Sequence, residues 1–212
     1  MPHNLTCVIL AGGLGTRLRS VITDVPKPMA MIDNRPFLEY LLLQISAAAI
    51  DDVILCVGYK AEVVENYFGD GKKFNLRIRY SKEKAPLGTA GALALAKPLI
   101  TTDTLIALNG DSFCEVDYQQ LIKQHQSSNA LATIVAVRVE NRSQCASVEF
   151  DGHNAIISFR EKQGIPEPGF ISSGIYVLEK KFLDSIPLTV CSLERDIFPK
   201  LIKENKVITY PI

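Results

Sequence analysis

A glycine-rich turn near the amino terminus carries the first chemical signal in this sequence. Gly12, Gly13 and Gly15 follow an apolar run at residues 6–10. Glycine has no Cβ, so such a turn lets the backbone approach a ligand closely, and its successive N–H groups form a concavity that suits phosphate oxygens. The turn therefore predicts a phosphate-binding loop at the end of a strand.

Cationic side chains follow this loop. Arg17 and Arg19 come first, and Lys27 stands between two prolines, Pro26 and Pro28. The planar arginine guanidinium offers a fork of donors to a polyphosphate, whereas lysine is a compact charge for a single phosphoryl oxygen. Because prolines restrict the backbone on both sides of Lys27, its ammonium is presented from a stiff support. Alone, a lysine in a proline turn is an ordinary surface residue, and the nearby glycines make it a candidate phosphate ligand.

Two familiar phosphate loops fit this turn poorly. A Walker A loop ends in Gly-Lys-Ser/Thr, whereas this turn ends in Gly15-Thr16-Arg17. A dinucleotide-binding fingerprint needs a third glycine where Leu18 stands. An NAD site would rest on the Gly-Leu-Gly of residues 13–15 alone, and a turn that only links a strand to a helix is the remaining alternative.

A carboxylate stands beyond another apolar run. Asp111 follows residues 104–108, which have the pattern of a buried strand, and open parallel sheets bind ligands beyond the carboxyl ends of their strands. Mg²⁺ takes oxygen ligands and is commonly shared between one or two carboxylates and substrate phosphates. Asp111 is therefore a candidate Mg²⁺ ligand. Taken alone, an Asn-Gly-Asp sequence is more often a turn or a helix cap.

The elements around these residues alternate between strand and helix. Apolar, β-rich runs predict strands at residues 6–10, 52–57, 77–80 and 104–108, and helical patterns predict helices opened by Pro36 and at 61–68, 89–97 and 118–127. Repeated β-α-β units build a parallel sheet covered on both faces. Later strands, at 131–137, 147–150, 156–160 and 171–178, are joined by short turns. The predicted fold class is α/β, with a Rossmann-like, mostly parallel central sheet, helices on both faces and a partly antiparallel extension.

The composition excludes several classes of protein. The 212 residues fit one domain with a sizeable core, and Lys plus Arg balance Asp plus Glu at 23 each, which argues against nucleic acid or membrane as a partner. The longest apolar segment, residues 37–50, is interrupted by polar side chains and predicts an amphipathic helix, and the amino terminus does not resemble a signal peptide. Five scattered cysteines without a CxxC pair predict neither disulfides nor a zinc site, so we expect a cytoplasmic protein.

Several ordered motifs together resemble a known family, the sugar-1-phosphate nucleotidyltransferases, over nearly the whole chain. The motifs are LAGGLGTRL at 10–18, PKP at 26–28, LGTAG at 87–91, NGD at 109–111, FREK at 159–162 and SGIY at 173–176. Segments 19–30 and 36–42 most resemble the D-glycero-α-D-manno-heptose 1-phosphate guanylyltransferases, with mannose-1-phosphate guanylyltransferases next.

The resemblance implies that a sugar 1-phosphate oxygen attacks the α-phosphorus of a nucleoside triphosphate, with Mg²⁺ as cofactor, to release pyrophosphate and form a nucleotide sugar. It implies that Arg17 stabilises the leaving pyrophosphate, that Lys27 binds phosphates near the reacting centre and that Asp111 holds the metal. The nucleotide-binding residues that it implies are Leu10, Ala11, Gly12, Gly13, Gly15, Thr16, Glu83, Gly88 and Thr89.

The choice of base is expected to fall to Glu83, which stands before Gly88 where the family recognises the base. An ionised carboxylate only accepts hydrogen bonds, and guanine presents adjacent N1–H and N2–H donors that match it. Uracil and thymine instead place carbonyls on both sides of a single donor. We therefore expect GTP as the preferred nucleotide; the alternative is a solvated loop glutamate beside Lys82 and Lys84.

The sugar phosphate is expected to bind the second half of the chain. In the resembling families a Glu-Lys pair contacts sugar hydroxyls and the sugar phosphate, and a small residue plus glycine leaves room for the ring. Many members carry asparagine at the position of Ser173, so one hydroxyl contact differs here. An exposed ion pair is the alternative for the Glu-Lys sequence. The expected sugar-phosphate-binding residues are Asn109, Gly110, Glu161, Lys162, Ser173 and Gly174.

One feature departs from the family pattern. Members usually carry a second Mg²⁺-binding aspartate in an Asp-Ile/Thr-Gly motif soon after the strand expected at 206–210, and this sequence runs to Pro211-Ile212. Three hypotheses follow: an active guanylyltransferase, a module that binds a nucleotide sugar without turnover, and an NAD-binding protein. We expect the first, in a single domain whose residues 1–115 bind nucleotide and 116–212 bind sugar phosphate. A homo-oligomer is compatible with the sequence.

Overall fold

The computed structural model describes residues 5–13, 25–162, 164 and 166–212. Within these residues, nine strands form one mixed sheet and two short strands form a separate hairpin. The strands are β1 (Thr6–Leu10), β2 (Met31–Ile32), β3 (Arg35–Pro36), β4 (Asp52–Val57), β5 (Arg77–Lys82), β6 (Thr104–Asn109), β7 (Ala132–Val139), β8 (Ser147–Phe150), β9 (Ile156–Arg160), β10 (Gly169–Glu179) and β11 (Val207–Pro211). The helices are α1 (Phe37–Ala47), α2 (Ala61–Phe68), α3 (Gly88–Ala96), α4 (Tyr118–Gln126) and α5 (Phe198–Lys203).

The main sheet combines a parallel part with an antiparallel part. Its order is β11-β7-β10-β6-β1-β4-β5. Strands β6, β1, β4 and β5 run parallel, whereas β10 runs antiparallel to both β6 and β7. The β8–β9 hairpin joins the sheet through β10, and β11 pairs in parallel with β7. The mixed topology confirms the fold class predicted from the sequence.

Two hydrophobic clusters lie on opposite faces of this sheet. Alternate residues of a strand point to opposite faces, so Cys7 and Ile9 join one cluster while Val8 joins the other. Helices α1, α2 and α4 supply buried side chains to the first cluster, and α3 and α5 supply them to the second. Because both faces are covered, the central strands are apolar without interruption, which is why their positions follow from the sequence.

Some boundaries differ from the prediction. The sequence predicts a helix that begins with Pro36. In the structure Pro36 ends β3, and α1 begins at Phe37 and ends at Ala47. The 31–36 hairpin and α5 are absent from the prediction, because two-residue strands and a six-residue helix leave little periodic pattern. No helix in the described parts of the chain is both long enough and apolar enough to cross a bilayer.

The register of the parallel strands brings the predicted site residues to one edge. Leu10 at the end of β1 pairs with Asn109 at the end of β6. The Gly110 N–H donates to the Leu10 carbonyl over 3.0 Å. A Cβ on Gly110 would stand only 2.8 Å from that oxygen, so glycine keeps the two strand ends close together. The glycine turn and Asp111 therefore leave the sheet side by side.

Candidate active site

A cleft of about 700 Å³ opens at this edge of the sheet, a size typical of small-molecule sites. It brings together residues from both halves of the chain. Its lining residues are Leu10, Ala11, Gly12, Gly13, Lys27, Pro28, Glu83, Pro86, Gly88, Thr89, Ala92, Asn109, Asp111, Ser112 and Lys162.

The glycine turn forms one wall of the cleft. The Ala11 N–H donates to the Cys56 carbonyl of β4 over 2.9 Å, which fixes the start of the turn against the sheet. No described residue lies within 4 Å of the position that a Cβ on Gly13 would take. The expected ligands Gly15, Thr16 and Arg17 lie outside the described residues.

Lys27 and Asp111 meet across the cleft. Lys27 begins a turn of 3₁₀ helix that the prolines on either side favour, and the Met29 N–H closes it on the Pro26 carbonyl over 2.8 Å. The Lys27 ammonium lies 2.5 Å from Asp111 Oδ2, with 35% and 42% of the two side chains exposed. A pair this exposed adds little to stability. Both groups are therefore able to exchange partners.

The donor set near Asp111 fits Mg²⁺ that is shared with a substrate. Among the described residues, no group of three or more His, Cys, Asp or Glu side chains is arranged to hold a metal ion. Asp111 supplies one carboxylate in the cleft wall, next to the Lys27 ammonium. Mg²⁺ keeps several waters and commonly binds through one or two carboxylates plus phosphates. The arrangement suits a metal that enters with a nucleotide rather than a metal held by protein alone.

Glu83 occupies a narrow space at another wall of the cleft. One carboxylate oxygen lies where a Cβ of Gly12 or Gly58 would stand, at 2.3 Å and 2.9 Å from those positions, so both glycines make room for it. The other oxygen accepts the Leu87 N–H over 3.1 Å. Burial raises the pKa of the Glu83 carboxyl, while the Leu87 hydrogen bond acts in the opposite direction. The carboxylate is thus held in one place in the lining of the cleft.

Thr89 lies in the first turn of α3, with its hydroxyl engaged within the protein. It donates to Glu194 Oε2 over 2.7 Å and accepts the Leu193 N–H over 2.8 Å. Gly88 has φ +73°, and a Cβ there would stand 2.5 Å from the Cys191 carbonyl oxygen. Both residues line the cleft, and the Thr89 hydroxyl already has two protein partners.

The residues expected to bind the sugar phosphate divide into two groups. Asn109 and Lys162 line the cleft, whereas Gly110, Glu161, Ser173 and Gly174 are not among its lining residues. Gly174 has φ +80° at an irregularity of β10, and a Cβ there would stand 2.7 Å from the Asn109 side-chain amide. The space beside Gly174 is therefore filled by Asn109, and the glycine serves to place that side chain.

Asn109 carries an oxygen without a partner. Its Oδ1 is buried and makes no hydrogen bond. A buried acceptor without a partner among the described residues is rare in folded proteins, and here it belongs to a residue that lines the cleft.

Four lining residues lie outside the set of site residues that the sequence predicts. They are Pro28, Pro86, Ala92 and Ser112. Pro28 belongs to the PKP motif, Pro86 directly precedes the LGTAG motif and Ser112 follows the candidate metal ligand, so nearness in sequence is the available signal. Ala92 lies one turn beyond Gly88 on α3, and only helical geometry indicates that it faces the cleft.

Solved structures with a similar fold include the protein HddC. HddC from Yersinia pseudotuberculosis superposes with a TM-score of 0.87 at 34% identity, and the match covers 98% of this chain and 90% of that one. The complex of the same protein with GMP-PN superposes with a TM-score of 0.85 at 33% identity.

Proteins of similar sequence include two guanylyltransferases. A mannose-1-phosphate guanylyltransferase of Mycobacterium tuberculosis is 39% identical over 204 residues, which are 96% of this chain and 57% of that enzyme. This chain therefore spans little more than half the length of that relative. The D-glycero-α-D-manno-heptose 1-phosphate guanylyltransferase of Aneurinibacillus thermoaerophilus is 36% identical over 203 residues, 95% of this chain and 87% of that one. A model of the nucleotidyl transferase family matches residues 6–210, and this chain belongs to that family.

Proposed function

We propose that this chain transfers the guanylyl group of GTP to a sugar 1-phosphate, either D-glycero-α-D-manno-heptose 1-phosphate or mannose 1-phosphate. The observation that carries the proposal is that Glu83 and the Lys27–Asp111 pair line one cleft. The Glu83 carboxylate, which would accept the guanine donors, and the Lys27 ammonium, which would bind phosphate, thus lie in the same cleft. The guanylyltransferase relatives, which match nearly all of this chain, support the same reaction.

In the proposed reaction, a phosphate oxygen of the sugar 1-phosphate attacks the α-phosphorus of GTP. A new P–O bond forms, the bond from the α-phosphorus to the bridging α–β oxygen breaks, and pyrophosphate leaves with that oxygen. No covalent enzyme intermediate is required, since positioning and charge neutralisation dominate this chemistry. The backbone at Gly12 and Gly13 would cradle the triphosphate, and Lys27 would neutralise charge near the α-phosphorus. Mg²⁺ held at Asp111 would supply further charge neutralisation.

The base and the sugar would contact opposite walls of the cleft. Glu83 would accept guanine N1–H and N2–H, and Lys162 would bind the phosphate of the sugar 1-phosphate. Asn109, which lines the cleft, would contact the sugar. In this proposal residues 1–115 bind the nucleotide and residues 116–212 the sugar phosphate, with Arg17 on the pyrophosphate and Glu161 on sugar hydroxyls. The five free thiols support a cytoplasmic enzyme.

The test is a matrix of four nucleoside triphosphates against several sugar 1-phosphates, monitored by pyrophosphate release with and without Mg²⁺. We expect release only when GTP, Mg²⁺ and a heptose or mannose 1-phosphate are present together. Glu83→Gln is expected to lower the preference for GTP over ATP by about tenfold or more, because it removes a charged acceptor. Tight binding of GTP without turnover for any sugar phosphate would contradict the proposal.

Two further variants test the residues that are expected to lie near the reacting phosphates. Lys27→Ala and Asp111→Ala should each lower kcat and leave the GTP:ATP ratio unchanged, because neither group is expected to contact the base. Gly152→Ala serves as the control. Gly152 lies in the turn between β8 and β9, and a Cβ there would meet nothing within 4 Å. A Lys27→Ala enzyme with the turnover of the control would remove Lys27 from the mechanism.

A further inference from the structure

Glu194 connects two walls of the cleft without lining it. Its Oε2 accepts the Thr89 hydroxyl and the Ser192 hydroxyl, each over 2.7 Å, and its Oε1 accepts the Tyr176 hydroxyl over 3.1 Å. Thr89 belongs to α3 in the nucleotide half, and Tyr176 belongs to β10 in the sugar half. One carboxylate thus joins hydroxyl groups from both halves of the chain.

The nucleotide side of this connection is rigid. Residues 189–194, which we name the cap segment, lie against the first turn of α3. The Cys191 carbonyl accepts the Ala90 N–H over 3.0 Å and the Gly91 N–H over 3.2 Å, and the Cys191 N–H donates to the Leu87 carbonyl over 2.8 Å. Two of the N–H groups that a helix leaves unpaired at its start are thereby satisfied by protein. Glu194 then adds the Thr89 hydroxyl to the same contact.

The sugar side passes through Tyr176. Its ring is buried, and burial together with the nearby Glu194 carboxylate raises the pKa of its hydroxyl, which therefore stays protonated and donates to Glu194. Two residues before Tyr176 on β10, Gly174 packs against the Asn109 side chain, where a Cβ would stand 2.7 Å from the amide nitrogen, and Asn109 lines the cleft. Glu194 thus holds the part of β10 that packs against Asn109.

The backbone at Glu194 is unusual in a way that favours this role. Residues Leu193–Ile197 form a single turn of π-helix, and such turns occur often at functional sites because they displace one side chain from the helical pattern. The Ser192 side chain caps the turn by accepting the Arg195 N–H over 3.2 Å. The turn therefore directs Glu194 inward while its neighbour Arg195 remains exposed.

We propose that Glu194 is a positioning residue that fixes the nucleotide wall and the sugar wall of the cleft relative to each other, acting through Thr89 on one and through Tyr176 and Asn109 on the other. A residue that only stabilises the fold would affect both substrates without regard to which contact is removed. A residue that connects the two walls predicts instead that removing its Thr89 contact affects mainly one substrate and removing its Tyr176 contact affects mainly the other. This inference rests on the proposed function.

The experiment compares four variants in the pyrophosphate-release assay, with GTP and the sugar 1-phosphate varied in turn. Thr89→Val is expected to raise mainly the KM for GTP, and Tyr176→Phe mainly the KM for the sugar phosphate. Glu194→Ala should raise both, with a loss in kcat/KM of roughly 10- to 100-fold, the value of a hydrogen bond to a charged group. Arg195→Ala, from the same turn, is the control and should behave as wild type.

The conservative variant Glu194→Gln keeps one acceptor oxygen and should recover part of the lost kcat/KM; it carries the test if Glu194→Ala does not fold. Folded Glu194 variants with both KM values within twofold of wild type would overturn the inference, as would equal effects of Thr89→Val and Tyr176→Phe on the same substrate. Calorimetric titration with GTP gives a second readout. It separates failure of this inference from failure of the proposed function, because reduced GTP binding in Glu194→Ala and Thr89→Val is expected even without turnover.

Discussion

Gly58→Ala should weaken the recognition of guanine, although residue 58 is not expected to contact the nucleotide itself. Gly58 follows β4, and a Cβ there would stand 2.9 Å from both Cγ and Oε1 of Glu83. Its φ lies outside the left-handed region, so alanine is compatible with the backbone. The added methyl group therefore acts on Glu83 and on the Gly12 carbonyl oxygen, which lies 3.1 Å away.

The size of the effect follows from this distance. To restore ordinary van der Waals contact at 3.4 Å, the Glu83 carboxylate must withdraw by about 0.5 Å. A hydrogen bond to guanine of about 2.8 Å would lengthen to about 3.3 Å, near the outer limit for such a bond. Loss of one hydrogen bond to a charged acceptor corresponds to about tenfold in kcat/KM. Adenine offers no matching donor pair, so kcat/KM for ATP should change little.

The measurement is the ratio of kcat/KM for GTP to kcat/KM for ATP, with mannose 1-phosphate saturating and pyrophosphate release as the signal. Gly152→Ala is the matched control, since the same substitution there meets open space. A Gly58→Ala ratio equal to the control, beside a reduced ratio in Glu83→Gln, would refute the packing argument alone. An unchanged ratio in both variants would refute base recognition by Glu83.

Two predictions concern pH. Burial raises the pKa of the Glu83 carboxyl, so this group should become protonated at a pH above the usual glutamate pKa. Because a protonated carboxyl loses its charge as an acceptor, kcat/KM for GTP should fall as the pH drops through that range. A Glu83→Gln enzyme whose kcat/KM fell in the same way at low pH would contradict the assignment. Burial lowers the pKa of His125, so at low pH the unfolded chain binds a proton on this residue more readily than the folded chain does. As the pH is lowered from about 6.5, the free energy of unfolding should therefore decrease, by at most about 1.4 kcal/mol per pH unit. Urea titrations on either side of that pH should show this dependence, and His125→Gln should reduce it.

The sequence predicts the sheet well because its central strands are buried on both faces. The uninterrupted apolar runs at β1, β4 and β6 are typical of parallel strands, and the residues after them must meet at one edge. This pattern predicts Asp111 beside the glycine turn, Lys27 is predicted from its nearness to that turn, and the family resemblance implies Glu83. The fold brings these three side chains into the same cleft.

What the sequence does not predict depends on contacts between distant residues. Glu194 lies 105 positions from Thr89, and no local pattern indicates that their side chains meet. His125 is buried, with its ring hydrogen-bonded to Thr133 and Glu179, although its place in a polar helix suggests an exposed residue. The contact between Gly174 and the Asn109 side chain likewise joins residues that are far apart in the sequence.

The contact between Lys27 and Asp111 bears on which form of the nucleotide enters. A lone anion arriving at the cleft gains one ammonium and meets one carboxylate, so the pair offers it no net charge. A nucleotide already complexed with a divalent cation presents both signs and can satisfy each partner as they separate. We therefore expect the Lys27–Asp111 pair to favour a nucleotide complexed with a divalent cation over the uncomplexed triphosphate.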